Sequence, residues 1–134
     1  MPAVPDYPFV PKSNRYLLPG QFWSLPLHNG RFACGRVMAV PAFGARDRVG
    51  IVIGLMDWVG NQPPTFDSLQ GCQVLVQAET HFSAITNTGG DVLGLRPLDL
   101  DGLIPVDPND LSVGSIHLVW GRATISDKAE ERFG

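Results

Sequence analysis

Histidine and cysteine are the side chains in this sequence that could bind a metal ion or act as nucleophiles. The histidines are His28, His81 and His117, and the cysteines are Cys34 and Cys72. No two histidines have metal-ligand spacing, and neither cysteine joins a histidine in a zinc-binding pattern. The two cysteines could form a disulfide, but without an export signal we expect two buried free thiols. The spacing therefore predicts no metal site.

Two glycine-containing segments begin like ligand-binding loops but do not complete the pattern. The segment 99–102 (DLDG) starts like a calcium loop, but the other ligands and the terminal glutamate are missing, which favours a solvated turn. Gly89, Gly90 and Asp91 are not followed by the lysine and serine or threonine of a phosphate-binding loop. No G-x-S-x-G nucleophile motif is present. We therefore expect neither an enzyme nor a cofactor.

Acidic residues are concentrated in the second half of the chain. The formal charge is −3 and the pI about 5.4, which argues against a nucleic-acid binder. Residues 68–134 hold nine acidic and four basic residues. Arg96 is the single basic residue among five aspartates, which are Asp91, Asp99, Asp101, Asp107 and Asp110. These aspartates form either a solvated loop or a patch that attracts a basic partner, such as a nuclease toxin.

Tryptophan is enriched at binding hot spots, and the chain has Trp23, Trp58 and Trp120. In a domain of this size we expect at least two of them in the core. Asp57 and Trp58 end a predicted strand before an open loop, so Trp58 is the candidate aromatic anchor.

Composition limits the elements that can position these residues. The 134 residues suffice for one domain, and 44% of them are hydrophobic. Fifteen glycines and 12 prolines exclude long helices. The longest uncharged run, 16–30, contains two prolines and is too short to cross a membrane. No basic segment followed by an apolar stretch opens the sequence, so we expect a cytoplasmic protein.

Hydrophobic patterning predicts six or seven short antiparallel strands. Phe22–Leu27 and Arg31–Val40 form a hairpin, and the Asn-Gly between them predicts a type I′ turn with positive φ at both central residues. Gly35 is expected at a bulge or a close backbone contact. The other predicted strands are Val49–Val59, Cys72–Ala78, His81–Thr86, Val92–Leu95 and Ser115–Ser126. A helical turn near Thr65 and a C-terminal helix, capped by Asp127 and ending at Phe133, complete the prediction.

These elements predict a mainly β fold, α+β with minor helix: a strongly bent antiparallel sheet or small, partly open barrel with a short C-terminal helix. Residues 16–134 form a single β-rich domain, and residues 1–15 a proline-rich N-terminal arm. The arm has proline at every third position from Pro2 to Pro11, which predicts a polyproline II helix with Val4, Tyr7 and Val10 along a second edge. Such an arm either packs across its own domain or reaches a partner chain, making a homo-oligomer.

The segment 18–37 (LPGQFWSLPLHNGRFACGRV) resembles the opening hairpin of the immunity protein 26 family, found beside bacterial polymorphic toxins. That family begins with a pattern like G-D/Q-hydrophobic-x-x-(I/L)-P-L-x-(D/N)-G-R-(Y/F)-x-x-G-R-V. The matching residues here are Gly20, Pro26, Leu27, Gly30, Arg31, Phe32, Gly35, Arg36 and Val37. The resemblance implies a cytoplasmic protein that binds a cognate toxin and blocks it without chemistry of its own.

Arg31 and Arg36 are charged residues within this apolar hairpin. Their odd spacing places them on opposite faces of a regular strand, although a bulge at Gly35 could bring them to one side. We interpret Arg36 first as a structural arginine bonded to backbone or carboxylate, and second as a partner contact.

The sequence thus predicts an immunity protein that neutralises a toxin through a protein–protein interface, with no nucleic-acid or membrane partner. The alternative is a small β-barrel binding module for a peptide or small ligand, with a homo-oligomer possible through the arm. The candidate partner-binding residues are Asp57, Trp58, Asp99, Asp101, Asp107, Asp110, Arg31 and Arg36.

Overall fold

An antiparallel sheet of five strands forms the centre of the computed structural model, which describes residues 5–40, 50–103 and 120–134. The strands are β1 (Gln21–Pro26), β2 (Phe32–Ala39), β3 (Ile51–Gly60), β4 (Val74–Thr80) and β5 (Gly94–Leu95). Their order across the sheet is β4-β3-β2-β1-β5, and in the described residues the sheet does not close on itself. The mainly β fold is therefore confirmed, in its open-sheet form.

The helices are α1 (Ser83–Asn87) and α2 (Thr124–Phe133), and single 3-10 turns lie at Asp67–Leu69 and Leu98–Asp101. The turn near Thr65 and the short C-terminal helix are confirmed. The strand predicted at His81–Thr86 is wrong, because this segment forms most of α1 and buries Ala84 and Ile85. Within the described residues, the strand predicted at Val92–Leu95 is reduced to β5.

The C-terminal helix begins earlier than the sequence predicts. It starts at Thr124, so Asp127 lies in its first turn and the predicted cap is wrong. The same finding overturns the end of the strand predicted at Ser115–Ser126, while residues 115–119 lie outside the described ranges. Ile125 and Ala129, four residues apart, are both fully buried. Their burial on one face favours a helix over a strand here.

The β1–β2 hairpin turn has a different geometry from the predicted type I′ turn. Gly30 has φ +86°. Among the described residues only glycines have positive φ, so Asn29 lacks the positive φ that a type I′ turn requires. The Gly30 amide donates to the Leu27 carbonyl (3.1 Å), and the Leu27 amide donates to the Arg31 carbonyl (2.9 Å). This is a three-residue loop, which needs positive φ only at its last residue.

Successive residues along the strands point to opposite sides of the sheet and pack into two separate hydrophobic cores. One core contains the buried residues of both helices, and we call this side of the sheet the helix face. The residues of this core include Trp23, Leu25, Ile53, Ile85 and Ile125. The other core lies under the two 3-10 turns, and we call it the loop face; its members include Phe22, Cys34, Met56, Leu69 and Leu98. The sheet is therefore covered on both sides.

The described part of the arm packs against its own domain. Phe9 and Val92 exchange two backbone hydrogen bonds, of 3.1 and 2.8 Å. The buried Gln21 side chain donates to the Tyr7 hydroxyl at 3.2 Å. Tyr7 and Val10, predicted to share an edge, are 37% and 52% exposed, and Phe9 packs on the helix-face core instead. In residues 5–15 the arm is thus a strap on the domain that carries it.

Candidate functional site

Two loops cover the loop face, residues 66–73 and 96–102, and an ion pair within the second loop is hydrogen-bonded to the first. The Arg96 guanidinium donates to both carboxylate oxygens of Asp101, at 2.8 and 2.9 Å. Asp101 also accepts the Gly71 amide at 2.9 Å, and Arg96 donates to the Phe66 carbonyl at 3.2 Å. Each residue of the pair therefore bonds the other loop, which fixes the two loops relative to each other.

Arg36 lies beneath this pair and is fully buried. Its guanidinium donates to the Gly20 carbonyl at 3.4 Å and to the Arg96 carbonyl. Its NH1 atom is 3.8 Å from an Asp101 oxygen and has no hydrogen-bond partner in the described residues. The arrangement is that of a structural arginine, and a fully buried side chain cannot reach a partner at the surface.

The Asp101 carboxylate carries the negative charge of this cluster, and its side chain is only 2% exposed. Hydrogen bonds from Arg96 lower its pKa from 3.8 to about 2, and the Gly71 amide contributes in the same direction. Because Asp101 faces inward, it is not available to a partner as the sequence predicted. It holds the loops instead.

We expect the variant Asp101→Asn to lower the free energy of unfolding by about 2 kcal/mol near pH 7, because two guanidinium groups lose their counterion. A carboxylate whose pKa is lowered by folding stabilises the protein above its unfolded pKa, and this contribution is lost as pH falls through about 2. Urea unfolding of both proteins between pH 7 and pH 2 should show the difference shrinking below about pH 4. Asp99→Asn, an exposed neighbour, is the control. A pH-independent difference would contradict the ionic role.

The other predicted partner-binding residues differ in their exposure. Asp57 and Asp99 are exposed, and Trp58 is half-buried against the loop-face core. Arg31 is exposed at the hairpin turn, and the next residue, Phe32, pairs with Gly60 of β3. Asp107 and Asp110 lie outside the described residues. The structure therefore leaves Asp57, Asp99 and Arg31 accessible to solvent, whereas Trp58 is mainly a packing residue.

Two apolar residues that the sequence analysis did not select are exposed on the same loops. Phe66 is 44% exposed and Leu100 is 56% exposed, each in one of the two loops. Each lies beside an exposed aspartate, Asp67 and Asp99 respectively. The signal in the sequence was an apolar residue isolated among turn-forming and acidic residues, where no strand or helix could bury it.

Cys34, Cys72 and His81 take structural positions, while His117 lies outside the described residues. Cys34 and Cys72 are both free, the first buried and the second partly buried. Burial raises the pKa of each thiol, and for Cys72 the nearby Asp101 and Asp57 carboxylates raise it further. A thiol held protonated in this way is a poor nucleophile. His81 is exposed, and its Nδ1 accepts the Ser83 amide at 3.2 Å at the start of α1.

Across 5–40, 50–103 and 120–134, no three histidine, cysteine, aspartate or glutamate side chains come together to hold a metal ion. None of the helices in these ranges is long and apolar enough to cross a membrane.

A second surface feature lies on the other side of the sheet, between β4 and α2. It is an open groove of about 470 Å³. Its lining combines three apolar and three charged residues, which are Leu55, Leu75, Val76, Lys128, Glu131 and Arg132. The groove has the mixed lining of a shallow ligand or peptide site.

Comparison of the chain with protein-family models, with curated proteins and with solved structures gives no significant match.

Proposed function

We propose that this protein is an immunity protein that binds a cognate bacterial toxin in the cytoplasm and neutralises it through the loop face. The single observation that carries the binding surface is the exposure of Phe66 and Leu100 on two cross-linked loops that also expose acidic residues. Large apolar side chains on a soluble domain, surrounded by charge, are typical of protein-binding surfaces. The choice of a toxin as the partner rests on the resemblance of segment 18–37 to the immunity protein 26 family.

The charge of this region indicates a basic partner. The two loops, residues 66–73 and 96–102, hold three acidic residues and one basic residue, Arg96, which is paired with Asp101. The other two acidic residues, Asp67 and Asp99, are exposed. A nuclease toxin must attract phosphate and is therefore basic around its active site. Neutralisation would be steric, with the acidic loops covering that site.

The experiment is a pull-down of the protein with the product of the gene directly upstream, at low and at high salt. We expect capture at both, with association about 10-fold faster or more at low salt, because exposed charges steer encounter and salt screens them. Stopped-flow or surface plasmon resonance measures the rates. Co-expression should also protect cells from that toxin. Failure of capture and of protection together would reject the proposal.

The second candidate function is a binding module for a peptide or small ligand, and the β4–α2 groove favours it. The variant Leu75→Ala, whose side chain lines the groove and is 39% exposed, separates the two candidates. If toxin capture and protection are unchanged in Leu75→Ala, the groove is not the toxin-binding surface.

A further inference from the structure

Phe66 is exposed, yet its backbone is rigidly held. Thr65 and Ser68 exchange three hydrogen bonds around it: the Thr65 amide donates to Ser68 Oγ (2.8 Å), the Ser68 amide to Thr65 Oγ1 (3.2 Å), and Ser68 Oγ to the Thr65 carbonyl (3.0 Å). The Phe66 carbonyl accepts from Arg96. An aromatic side chain on a prearranged backbone loses little entropy on binding, which is the property of an anchor residue.

The Phe66 ring also has a fixed neighbour below it. The Arg96 guanidinium carbon is 4.8 Å from the ring centroid, within the range of a cation–π contact. Arg96 is itself held by Asp101 and is only 7% exposed. One face of the ring is thus supported by a buried cation, and 44% of the residue's surface is exposed to solvent.

Leu100 supplies a second apolar group from the other loop. It lies between Asp99 and Asp101 in the 3-10 turn, and its amide donates to the Pro97 carbonyl at 3.2 Å. Asp101 turns inward while Leu100 and Asp99 turn outward. The Arg96–Asp101 pair therefore holds together the two loop backbones that carry these apolar side chains.

We propose that Phe66 and Leu100 form the apolar anchor of the partner-binding surface, and that the partner is a protein with an apolar recess bordered by basic residues. Asp67 and Asp99, adjacent to the anchor residues, would pair with that basic border. Free acidic residues repel phosphate, so the charge favours a basic protein over a nucleic acid or an anionic lipid surface. This inference rests on the proposed function and names the residues that perform it.

The test is a titration of the purified upstream gene product with the wild-type protein, Phe66→Ala, Leu100→Ala and the control Leu75→Ala. Leu75 is 39% exposed and borders α2, on the other side of the sheet. We expect Phe66→Ala to weaken the affinity about 30-fold and Leu100→Ala about 10-fold. Leu75→Ala should stay within about twofold. Thermal unfolding checks that each variant folds, and the exposed Leu100 gives a second anchor variant if Phe66→Ala is destabilised.

Salt distinguishes the anchor from its charged border. Phe66→Ala should weaken binding by the same factor at low and high salt, whereas Asp67→Asn and Asp99→Asn should weaken it mainly at low salt. If the wild type does not bind, this inference and the proposed function are both wrong. If the wild type binds and folded Phe66→Ala and Leu100→Ala bind equally well, only this inference is overturned.

Discussion

Replacing Arg36 with alanine is expected to lower the free energy of unfolding by about 4 kcal/mol. The substitution leaves a cavity where a fully buried long side chain stood. It also removes the Arg36 hydrogen bonds to the Arg96 and Gly20 carbonyls, of which the Gly20 carbonyl keeps the Arg96 amide as a donor at 3.1 Å. Because a domain of this kind is stable by roughly 5–15 kcal/mol, such a loss is large but measurable by urea unfolding.

Two further variants separate the causes. Arg36→Met fills much of the volume but cannot donate, so we expect it to cost about half as much as alanine. Arg31→Ala removes the other arginine of the same hairpin, which is exposed, and should change stability by less than about 0.5 kcal/mol. An Arg36→Ala protein as stable as the wild type would contradict the structural role of Arg36.

The burial of Arg36 bears on how the resemblance is interpreted. Five of the nine residues that carry it are buried, which are Gly20, Leu27, Gly35, Arg36 and Val37. Gly20, with φ +99°, lies where a Cβ would be 2.6 Å from the Arg96 carbonyl. These buried residues build the scaffold and cannot contact a partner, whereas Arg31 of the same segment is exposed. The surface is therefore expected in the loops outside this segment.

Much of the sheet could be predicted from sequence, because β1 to β4 are apolar or alternating segments bounded by turn residues. The strand prediction for residues 81–86 was wrong for a physical reason. Ile85 and Thr86 are β-branched and favour a strand locally, but burial of Ala84 and Ile85 beneath the sheet favours a helical turn. Tertiary packing of this kind involves residues distant in sequence, so it cannot be predicted from local propensity.

The candidate site was less predictable than the sheet. Asp99 and Asp101 are equivalent in the sequence, and only the contact of Asp101 with Arg96 and Gly71 turns one inward and leaves the other exposed. Likewise, Trp58 was the expected anchor because tryptophan is enriched at interfaces. In the structure it packs against the loop-face core, because it lies on a strand beside that core. Which acidic and aromatic residues stay exposed depends on the pairing of loops some 30 residues apart, as in the Gly71–Asp101 contact.

The second large effect is expected at Gly35, where the sequence predicted a bulge or a close contact and the structure shows both. The β2–β3 register shifts between Ala33 and Gly35. A Cβ at Gly35 would lie 2.6 Å from Cε2 of the Trp23 indole and closer still to Cζ2. Trp23 is fully buried and its Nε1 donates to Thr88 Oγ1 at 2.9 Å, so the ring cannot move away freely. Gly35→Ala should therefore cost about 3 kcal/mol.

A double-mutant cycle identifies the clash as the cause. Trp23→Phe alone should cost about 2 kcal/mol through the cavity and the lost hydrogen bond. A phenyl ring does not reach as far as the second ring of indole, so it leaves room for the alanine methyl. The double variant should therefore cost at least about 1 kcal/mol less than the two single changes added together. The same substitution at exposed Gly121, where a Cβ would be at an ordinary 3.6 Å from Thr124 Oγ1, is the control. Strict additivity in urea unfolding would mean that Gly35 is required for a backbone reason, such as the bulge, and not for the contact with Trp23.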